Sequence, residues 1–478
     1  MFYIIIAAAA LIITIAANTI LAGSVDKNKK YHPVSASDEA VARLAEAIRI
    51  PTVSHYDHSL DVTSLFSGFQ DYLFDIFPLF HETAERTVLS EYAVIYKWDG
   101  SSPDKHPVLL TAHYDVVPAD VSKWSRPPFD AVIEDGYLWG RGTLDTKNTL
   151  MASLEAAEEL CRTGFTPERT VYFAFGGDEE ITGALGAKTS AQWFADNGIS
   201  FDWAWDEGSI TADRLMPGMK VKLSLIGTSE KGQVNILLKA ESRGGGHAAM
   251  PPKHTATGRI ARAVTRIEAN PFPLRWLKTT RTFFKRMARA GVPAYRVALS
   301  NLWLTGGLIK LVMGRNAKSA AMLRTTTAPT IITGSNKENV LADEASAVVN
   351  VRILPGDSIK TVVKRIKKVV ADDEVSVSVL KEKEATEPAF ESSIKSEGYL
   401  LLEQMLNEEI EDAVVLPYLA TIATDSVNFS ACCKNLYRYA PMILNQEELD
   451  RIHGVDERIS FENYGLAIRC YKNFIKKL

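Results

Sequence analysis

The chain has 478 residues, 46% hydrophobic and 23% charged, which is an ordinary globular composition with room for two or three domains. Its formal net charge of −4 gives no reason to expect nucleic acid as a partner. Four cysteines are too few and too badly spaced for a disulfide framework or a CxxC metal pair, so we expect buried thiols: Cys161, Cys432, Cys433 and Cys470.

The N-terminal segment differs from the rest of the chain. Residues 2–23 carry no charge and are almost wholly apolar, and about 20 residues of helix span a bilayer. Lys27, Lys29 and Lys30 follow on the C-terminal side, which leaves the orientation open under the positive-inside rule. Two interpretations stand: a signal anchor, or a signal peptide cleaved near Ala22. Both predict an exported protein, membrane-anchored or secreted, and the signal anchor would add membrane contact through this segment.

Hydrophobic periodicity predicts alternating strands and helices in the first half of the chain. Helices are expected over residues 37–49 and 148–162. Buried strands that end in polar or acidic residues are expected within 106–118, 171–176 and 201–209. This alternation indicates an α/β fold with a mostly parallel central sheet, in which function gathers at the carboxyl ends of strands.

The pattern changes after residue 228. Strand patterns at 232–240 and 346–357 alternate with helix patterns near 257–268 and 359–372. They predict a smaller α+β domain that interrupts the α/β domain.

The inserted region has an unusual charge balance. Between residues 269 and 337 there are twelve Lys or Arg residues and no Asp or Glu. Apolar side chains are interleaved with them: Phe283, Phe284, Trp303, Leu304, Leu308, Ile309 and Leu311. One interpretation is a packed pair of helices with basic outer faces. The other is an apolar, basic surface that faces a membrane or an anionic substrate carrying an acyl chain.

Histidines and carboxylates follow the predicted strands. They are His113, Asp115, Asp145, Asp178, Glu179, Glu180, Asp206, Glu207 and His453. Singly, each has an ordinary structural role open to it, such as a helix cap for Asp145 or a core position for His453. Jointly they place two imidazoles and several carboxylates at neighbouring strand ends. Two divalent ions, with zinc the best match, would remove the repulsion between these carboxylates.

The motifs around these residues resemble the dizinc family of carboxypeptidase G, acetylornithine deacetylase and aminoacylase. Within that family the chain is most similar to carboxypeptidase S and the secreted N-acyl amino acid hydrolases. The matching stretches occur in family order from about residue 40 to the C-terminus: "LLTAHYDVVP", "WGRGTLDTKNTLMA", "FGGDEEITGALGA", "WDEGS", "GHAAMPP", "LRTTTAPTIITGSNKENVLADEA", "NVRILPGD", "ATDSVNF" and "RIHGVDERI".

The resemblance implies two Zn²⁺ per chain, with Co²⁺ or Mn²⁺ as alternatives, and Asp145 as the carboxylate that bridges both ions. It implies further ligands for each ion: His113 with Asp206 or Glu207 for one, and Glu180 with His453 for the other. The choice between Asp206 and Glu207 stays open. Aminoacylase similarity favours Glu207, whereas the branch most similar to this chain leaves Asp206 open.

The resemblance also implies roles outside the ligand set. Asp115 would hold the imidazole of His113 in the right tautomer. Glu179 would be the general base. His247 would polarise the scissile carbonyl, often in the active site of the other protomer, which implies a homodimer.

Two residues of the inserted domain are candidates for substrate binding. Arg352 alternates with apolar Val351 and Ile353, so one face of a strand presents its guanidinium to a substrate carboxylate. It could equally pair with an acid of the inserted domain. Asn339 is a second candidate for the same pocket.

The chain departs from the family at two positions. Val427 stands where the most similar branch has a basic residue after Asp-Ser, which puts substrate preference in doubt. Thr146 follows Asp145 where many relatives have Asp. We still expect the family's cis peptide bond between Asp145 and Thr146.

The resemblance predicts a catalytic domain in two parts around an inserted lid or dimerisation domain. In order, the chain divides into a signal anchor or signal peptide (1–23), the first part of the catalytic domain (32–228), the inserted domain (229–376) and the second part (377–478).

The predicted activity is zinc-dependent hydrolysis of an amide bond next to a free carboxylate, at a peptide C-terminus or in an N-acyl amino acid. The first alternative is hydrolysis of N-fatty-acyl amino acids, as in aminoacylase-like enzymes. The second is a non-catalytic, membrane-tethered binding protein on the same fold. Loss of a ligand or of the base would indicate the second alternative, and none is missing from the sequence.

Overall fold

The computed structural model describes residues 2–23, 33–213, 221–242 and 246–478. The lysines that follow the apolar segment and the expected start of the catalytic domain at residue 32 lie outside the described residues. In chain order the helices are α1 (Phe2–Leu21), α2 (Asp38–Arg49), α3 (Thr63–Ile76), α4 (Pro78–Thr83), α5 (Lys147–Arg162), α6 (Ala187–Asp196), α7 (Ala256–Ala269), α8 (Lys278–Met287), α9 (Pro293–Ser300), α10 (Leu302–Met313), α11 (Ala317–Ala321), α12 (Ile359–Val370), α13 (Glu397–Glu409), α14 (Gln446–Leu449) and α15 (Phe461–Ile475).

The strands alternate with these helices along the chain. They are β1 (Glu85–Ser90), β2 (Ala93–Trp98), β3 (Val108–His113), β4 (Val132–Glu134), β5 (Tyr137–Trp139), β6 (Val171–Gly176), β7 (Ala204–Asp206), β8 (Thr211–Ala212), β9 (Lys222–Glu230), β10 (Gly232–Glu241), β11 (Gly246–His247), β12 (Thr326–Thr333), β13 (Val340–Leu341), β14 (Glu344–Ile353), β15 (Val375–Leu380), β16 (Ala413–Ala420), β17 (Leu436–Arg438), β18 (Ile443–Leu444) and β19 (Arg458–Ser460).

Ten strands form the central sheet within the described residues, in the order β1-β2-β6-β3-β7-β17-β9-β8-β18, with β16 beside β9. The middle strands β6, β3, β7 and β17 run parallel. Every residue of β3 and β6 is buried because α5 covers one face and α6 the other. Strands covered on both faces read as continuous apolar runs, which is why "VYFAFG" shows no alternation. The predicted α/β fold with a mostly parallel sheet is confirmed.

Local sequence fixes the start of the first helix of this domain. The side chain of Ser37 accepts a hydrogen bond from the backbone N–H of Ala40 at 3.2 Å, so α2 begins one residue later, at Asp38. The apolar stripe of α2, which includes Val41, Leu44 and Ile48, is buried against the main core.

The inserted region forms a separate antiparallel sheet in the order β12-β14-β10-β15. Helices α7 and α12 pack against it, and their apolar side chains build a second core around Ile236, Ile260, Val349 and Val362. This smaller α+β sheet confirms the interrupted fold. The exact boundaries of the division, 229–376, stay a prediction.

Helices α8, α9 and α10 do not contribute to the second core. Phe283, Phe284, Met287, Leu299 and Leu302 belong to the main core instead, with α8 lying against β16. Helices α8, α9 and α10 therefore pack together as expected, and their buried apolar side chains face the central sheet.

The N-terminal segment forms α1, which lies against α9. In the part of the chain that the structure describes, no helix has both the length and the apolar character to cross a membrane. The transmembrane helix and signal anchor that the sequence suggested are therefore not supported.

Candidate dimetal active site

Three neighbouring strands bring most of the candidate residues together. In the β3–β6 pairing His113 lies opposite Gly176, and the acidic run 178–180 follows directly. On the other side of β3, strand β7 ends at Asp206. The carboxyl ends of parallel strands meet at one edge of the sheet, so these polar residues share one site.

Asp145 lies between two histidines. Its Oδ1 is 3.2 Å from Nε2 of His113, and its Oδ2 is 2.9 Å from Nε2 of His453. The predicted cis peptide bond between Asp145 and Thr146 is present. With one carboxylate oxygen facing each histidine, Asp145 has the arrangement that a bridging ligand requires.

Two groups of side chains could each hold a metal ion. One consists of His113, Asp145 and Glu207, and the other of Asp145, Glu180 and His453. Within each group the potential ligand atoms lie within 4.8 Å of one another. Asp145 belongs to both groups, as expected for two ions that share a carboxylate.

The two acids of the turn Asp206–Glu207–Gly208, the DEG turn, have different surroundings. Glu207 contributes to the group with His113. Asp206 accepts hydrogen bonds from the backbone N–H of Glu207 at 2.9 Å and of Ser426 at 2.8 Å. Successive side chains diverge, so Asp206 holds the turn in place while Glu207 faces the site.

Asp115 links His113 to the two glutamates. Its backbone carbonyl is hydrogen-bonded to Nδ1 of His113 at 3.1 Å, and its Oδ1 lies 3.3 Å from the same nitrogen. Oδ1 accepts from the backbone N–H of Glu179 at 3.1 Å, and Oδ2 accepts from the N–H of Glu180 at 3.1 Å and from the hydroxyl of Ser54 at 2.7 Å. Asp115 thus orients the imidazole and, through its buried carboxylate, the loop that carries both glutamates.

Asp178 has a different environment from the two glutamates that follow it. Its carboxylate accepts hydrogen bonds from the backbone N–H groups of Leu185 and Gly186, both at 2.8 Å, just before α6. Burial raises the pKa of Asp178 to about 6. Asp178 therefore supports the loop, and Glu179 and Glu180 face the histidines.

The electrostatics of the site favour bound cations. Burial raises the pKa values of Glu179 and Glu207 well above their usual range, and repulsion from nearby carboxylates raises them further. Burial, followed by repulsion from Asp145, raises the pKa of Glu180 to about 7. Asp145 and Glu180 raise the pKa of His453 to about 10. Divalent ions would offset both the burial of these carboxylates and the repulsion between them. The donor set therefore fits two such ions.

Sequence reasoning missed Glu457, which joins the two loops that carry Asp145 and His453. Its Oε1 accepts from the backbone N–H groups of Gly142, Leu144 and Asp145 at 3.1, 2.6 and 3.2 Å. Its Oε2 pairs with buried Arg141 at 2.5 Å. The only signal in the sequence was its position four residues after His453.

A cavity of about 440 Å³ opens onto the metal-ligand cluster. Arg352 and Gln233 of the smaller sheet reach its lining, together with the catalytic-domain residues Asp145, Glu179 and Glu180. Most of the remaining lining is apolar: Tyr56, Leu144, Ile181, Ile210, Ile422, Ala423, Ala440, Met442 and Ile452. The structure therefore brings Arg352 to the site.

Three other candidates lie elsewhere. Exposed His247 pairs with Val340 in the short β11–β13 ribbon, and the N–H of Ala248 donates to the carbonyl of Asn339 at 2.9 Å. Neither His247 nor Asn339 lines the cavity. Val427 lines a different, open cleft of about 810 Å³. The structure thus groups His247 with Asn339, but apart from the metal-ligand cluster of the same chain.

Comparison with known proteins agrees with this geometry. The profile described as Peptidase family M20/M25/M40 matches residues 109–477. The chain is 37% identical to "Probable carboxypeptidase S-like 2" of Dictyostelium discoideum, over 92% of this chain and 85% of the relative. It is 36% identical to the human "N-fatty-acyl-amino acid synthase/hydrolase PM20D1", over 89% of this chain and 85% of the relative.

Solved structures agree on the fold. The M20 family metallo-carboxypeptidase Sso-CP2 from Sulfolobus solfataricus superimposes with a TM-score of 0.65 at 18% identity, covering 92% of this chain and 99% of that one. The profile match spans most of the chain and includes every residue of the two ligand groups. The chain therefore belongs to peptidase family M20/M25/M40 and is a hydrolase of the metallopeptidase class.

Proposed function

We propose that the chain is a dizinc carboxypeptidase that hydrolyses the amide bond next to a free C-terminal carboxylate. The observation that carries this proposal is the position of Asp145, with one carboxylate oxygen facing His113 and the other facing His453. His113 and Glu207 would complete the first zinc site, and Glu180 and His453 the second. Co²⁺ or Mn²⁺ could take the place of zinc, since the same ligand types bind them.

Glu179 and Asp115 have different roles in the proposed hydrolysis. Bound zinc ions would supply Lewis-acid polarisation and lower the pKa of the attacking water to roughly 7. Glu179 is buried beside the cluster, with Oε2 3.9 Å from Nε2 of His113. It accepts a proton from the attacking water and returns it to the leaving amine nitrogen. Asp115 keeps His113 and the Glu179 loop in position.

Arg352 would bind the carboxylate of the substrate. It lines the same cavity as Glu179 and Asp145 but belongs to the smaller sheet. A guanidinium binds a carboxylate through two parallel hydrogen bonds, which fixes the orientation of the scissile bond.

The second candidate function is hydrolysis of N-fatty-acyl amino acids. The apolar lining of the cavity favours it, because such a surface would take an acyl chain as readily as a peptide side chain. Both substrates carry a free carboxylate next to the scissile amide, so Arg352 and the metal site would serve either one.

A matched substrate panel separates the two functions. The metal-loaded protein is assayed on dipeptides ending in phenylalanine and on N-acetyl-, N-octanoyl- and N-oleoyl-phenylalanine. We expect the highest kcat/KM on the dipeptides. A kcat/KM that rises with acyl length and exceeds that of every dipeptide would replace the proposal with the second function. No hydrolysis of any substrate would favour the non-catalytic binding protein.

Substitution of Arg352 tests the carboxylate site. Loss of a charge-assisted hydrogen bond costs about 1.5–3 kcal/mol, so Arg352→Met should lower kcat/KM by roughly ten- to a hundredfold. The effect should vanish for substrates whose carboxylate is amidated. Lys239→Met, on the same sheet and paired with Glu241 and Glu344, is the matched control and should leave kcat/KM unchanged. Equal loss on free and amidated substrates would exclude this role.

We further propose that the chain is exported and that His247 acts across a homodimer. Export is proposed from the uncharged, apolar segment at residues 2–23. N-terminal sequencing of the protein recovered from the culture medium or membrane fraction would distinguish a retained segment, which keeps α1 in the mature protein, from one cleaved near Ala22.

A further inference from the structure

Helix α10 is apolar apart from Thr305 and Lys310, yet only one side is covered. Leu302 and Gly306 face the main core. On the opposite side Trp303, Leu304, Leu308, Leu311 and Val312 are each more than half exposed. A helix that is apolar all round is normally buried in protein or lipid. Contiguous exposed side chains of this kind mark an interaction surface.

Helix α1 extends this surface. Its exposed side chains include Ile12, Ile13, Ile20 and Leu21. Buried Asn301, between α9 and α10, accepts a hydrogen bond from Asn18 Nδ2 at 3.0 Å. The resulting apolar surface, formed by α1, α9 and α10, is called the insert surface below.

The Nε of Arg296 in α9 donates to the carbonyl of Thr19 at 3.2 Å. It joins α9 to α1 a second time. The two helices are therefore held together by specific polar contacts as well as by apolar packing.

A row of cations lies next to the insert surface. Lys278, Arg281 and Lys285 recur every three or four residues on the exposed side of α8, whose other side is buried by Phe283, Phe284 and Met287, and exposed Arg289 follows two residues after the helix ends. Within the described residues, no ion pair joins any of the four to a carboxylate. The guanidinium of Arg289 lies beside Gly23 at the end of α1, within about 4 Å of a Cβ built there. Arg289 thus lies beside the end of α1, and α8, which carries the other three cations, packs against α9.

We propose that the insert surface binds the face of a lipid bilayer that carries anionic headgroups. Its apolar side chains would enter the boundary between headgroups and acyl chains, with Trp303 and Tyr295 at the interface, and the α8 cations would contact lipid phosphates or carboxylates. Charge argues for a bilayer over a second copy of the chain. Residues 269–337 contain no acid, so two such surfaces would bring like charges together.

Co-sedimentation of the full chain with vesicles tests this surface. Phosphatidylcholine vesicles are compared with vesicles that also contain phosphatidylserine, at low and at high salt. We expect binding to both, stronger with phosphatidylserine, and with that preference lost at high salt. Leu308→Glu combined with Leu311→Glu should lower binding to both vesicle types by about tenfold or more, because each leucine contributes its full burial energy.

A second variant separates charge from apolar contact. Arg281→Glu combined with Lys285→Glu should remove the preference for phosphatidylserine and keep the weaker binding to phosphatidylcholine. The matched control is Val121→Glu combined with Leu400→Glu, two exposed apolar residues elsewhere, which should bind as the unmodified chain does. All variants should retain hydrolase activity, which verifies their folding.

Three results would overturn the proposal. One is no sedimentation of the unmodified chain with either vesicle. Another is vesicle binding by the Leu308→Glu, Leu311→Glu variant that equals binding by the unmodified chain, which would assign binding to α1 alone. The third is a dimer in sedimentation velocity that the α10 substitutions dissociate, which would make the surface a contact between two copies of the chain.

Discussion

At the scale of single residues, three consecutive carboxylates take three different positions. Asp178 accepts backbone N–H groups ahead of α6, Glu180 lies 3.1 Å from Nε2 of His453, and Glu179 is near His113. Their side chains diverge from one turn of backbone, so neighbours with the same chemistry meet different partners. Burial makes each position costly unless a donor or a cation compensates it.

Glu179 and Glu180 should therefore fail in different ways when each is made neutral. Glu179→Gln should keep both metal ions and lose roughly 10²–10⁴-fold in kcat, the contribution of a positioned general base. Glu180→Gln should weaken metal binding first and activity as a consequence. Metal stoichiometry and turnover are measured on both variants, prepared in parallel.

The opposite pattern would reverse the two assignments. That pattern is metal loss in Glu179→Gln, with Glu180→Gln fully loaded but inactive. If both variants stay loaded and active, the dimetal hydrolase mechanism itself fails.

The two acids of the DEG turn give a second test. Glu207→Gln should lower the metal content towards one ion per chain, because Glu207 belongs to the ligand group that contains His113 and not to the group that contains His453. Asp206→Asn should retain both ions, since an amide oxygen can still accept from the N–H of Ser426. Metal analysis after dialysis distinguishes them. Full metal content in Glu207→Gln together with loss in Asp206→Asn would make Asp206 the ligand.

At the scale of structural elements, the site depends on two loops that the sheet alone does not hold. One loop follows β5 and carries Asp145, and the other precedes β19 and carries His453. Buried Arg141 joins them by donating to the carbonyl of Gly454 at 2.9 Å and pairing with Glu457. This ion pair holds the loop of His453 against the loop of Asp145.

Glu457→Gln should destabilise the protein and weaken zinc binding together. Removing one partner of a buried ion pair costs about 3–5 kcal/mol, because the other charge stays buried without compensation. The midpoint of thermal unfolding should fall, and zinc affinity should fall because His453 is no longer fixed. The measurements are thermal unfolding with and without added zinc, and zinc titration.

Glu447→Gln is the control for this prediction. Glu447 pairs with Arg451 at 2.9 Å on the surface, where an ion pair contributes at most about 1 kcal/mol. Its unfolding midpoint and zinc affinity should match those of the unmodified chain. If Glu457→Gln behaves the same way, the buried pair does not position the loops.

At the scale of the whole molecule, the cavity lies between two separately built cores. The metal-ligand cluster belongs to the central sheet and Arg352 to the smaller one. Closure of one sheet on the other would exclude water from the scissile bond. His247 is on the smaller domain but outside this cavity, so only a change of domain arrangement or a second chain could bring it there.

Mixing two inactive variants tests the second possibility. His247→Ala should keep its metal ions, and Asp145→Ala should lose both. In a dimer that exchanges subunits, one site would combine intact metal ligands from the first chain with His247 from the second, and activity should partly return. The measurement is turnover of the mixture relative to each variant alone. No recovery despite proven subunit exchange would mean that His247 acts within its own chain.

The sequence alone determined the fold class and the strand ends at which the candidate metal ligands lie, whereas the ligand set came from the resemblance to the dizinc family and stays a prediction. A short apolar run such as Val171–Gly176, rich in aromatic residues and ending in glycine, favours a strand covered on both faces, and parallel strands put His113 and Glu180 at one edge. Hydrophobic periodicity is a local property, so strands that end in polar residues can be read without the tertiary structure.

Other assignments required the tertiary structure. Asp206 and Glu207 are equivalent in the sequence, and only the backbone N–H of Ser426, 220 residues away, assigns Asp206 to the turn. Glu457 is likewise recognised only by its contacts with a loop more than 300 residues earlier. The same holds for α8–α10, whose apolar residues suit either the second core or the first. Such choices depend on which distant groups share a buried space, and hydrophobic pattern carries no information about partners that far apart in the chain.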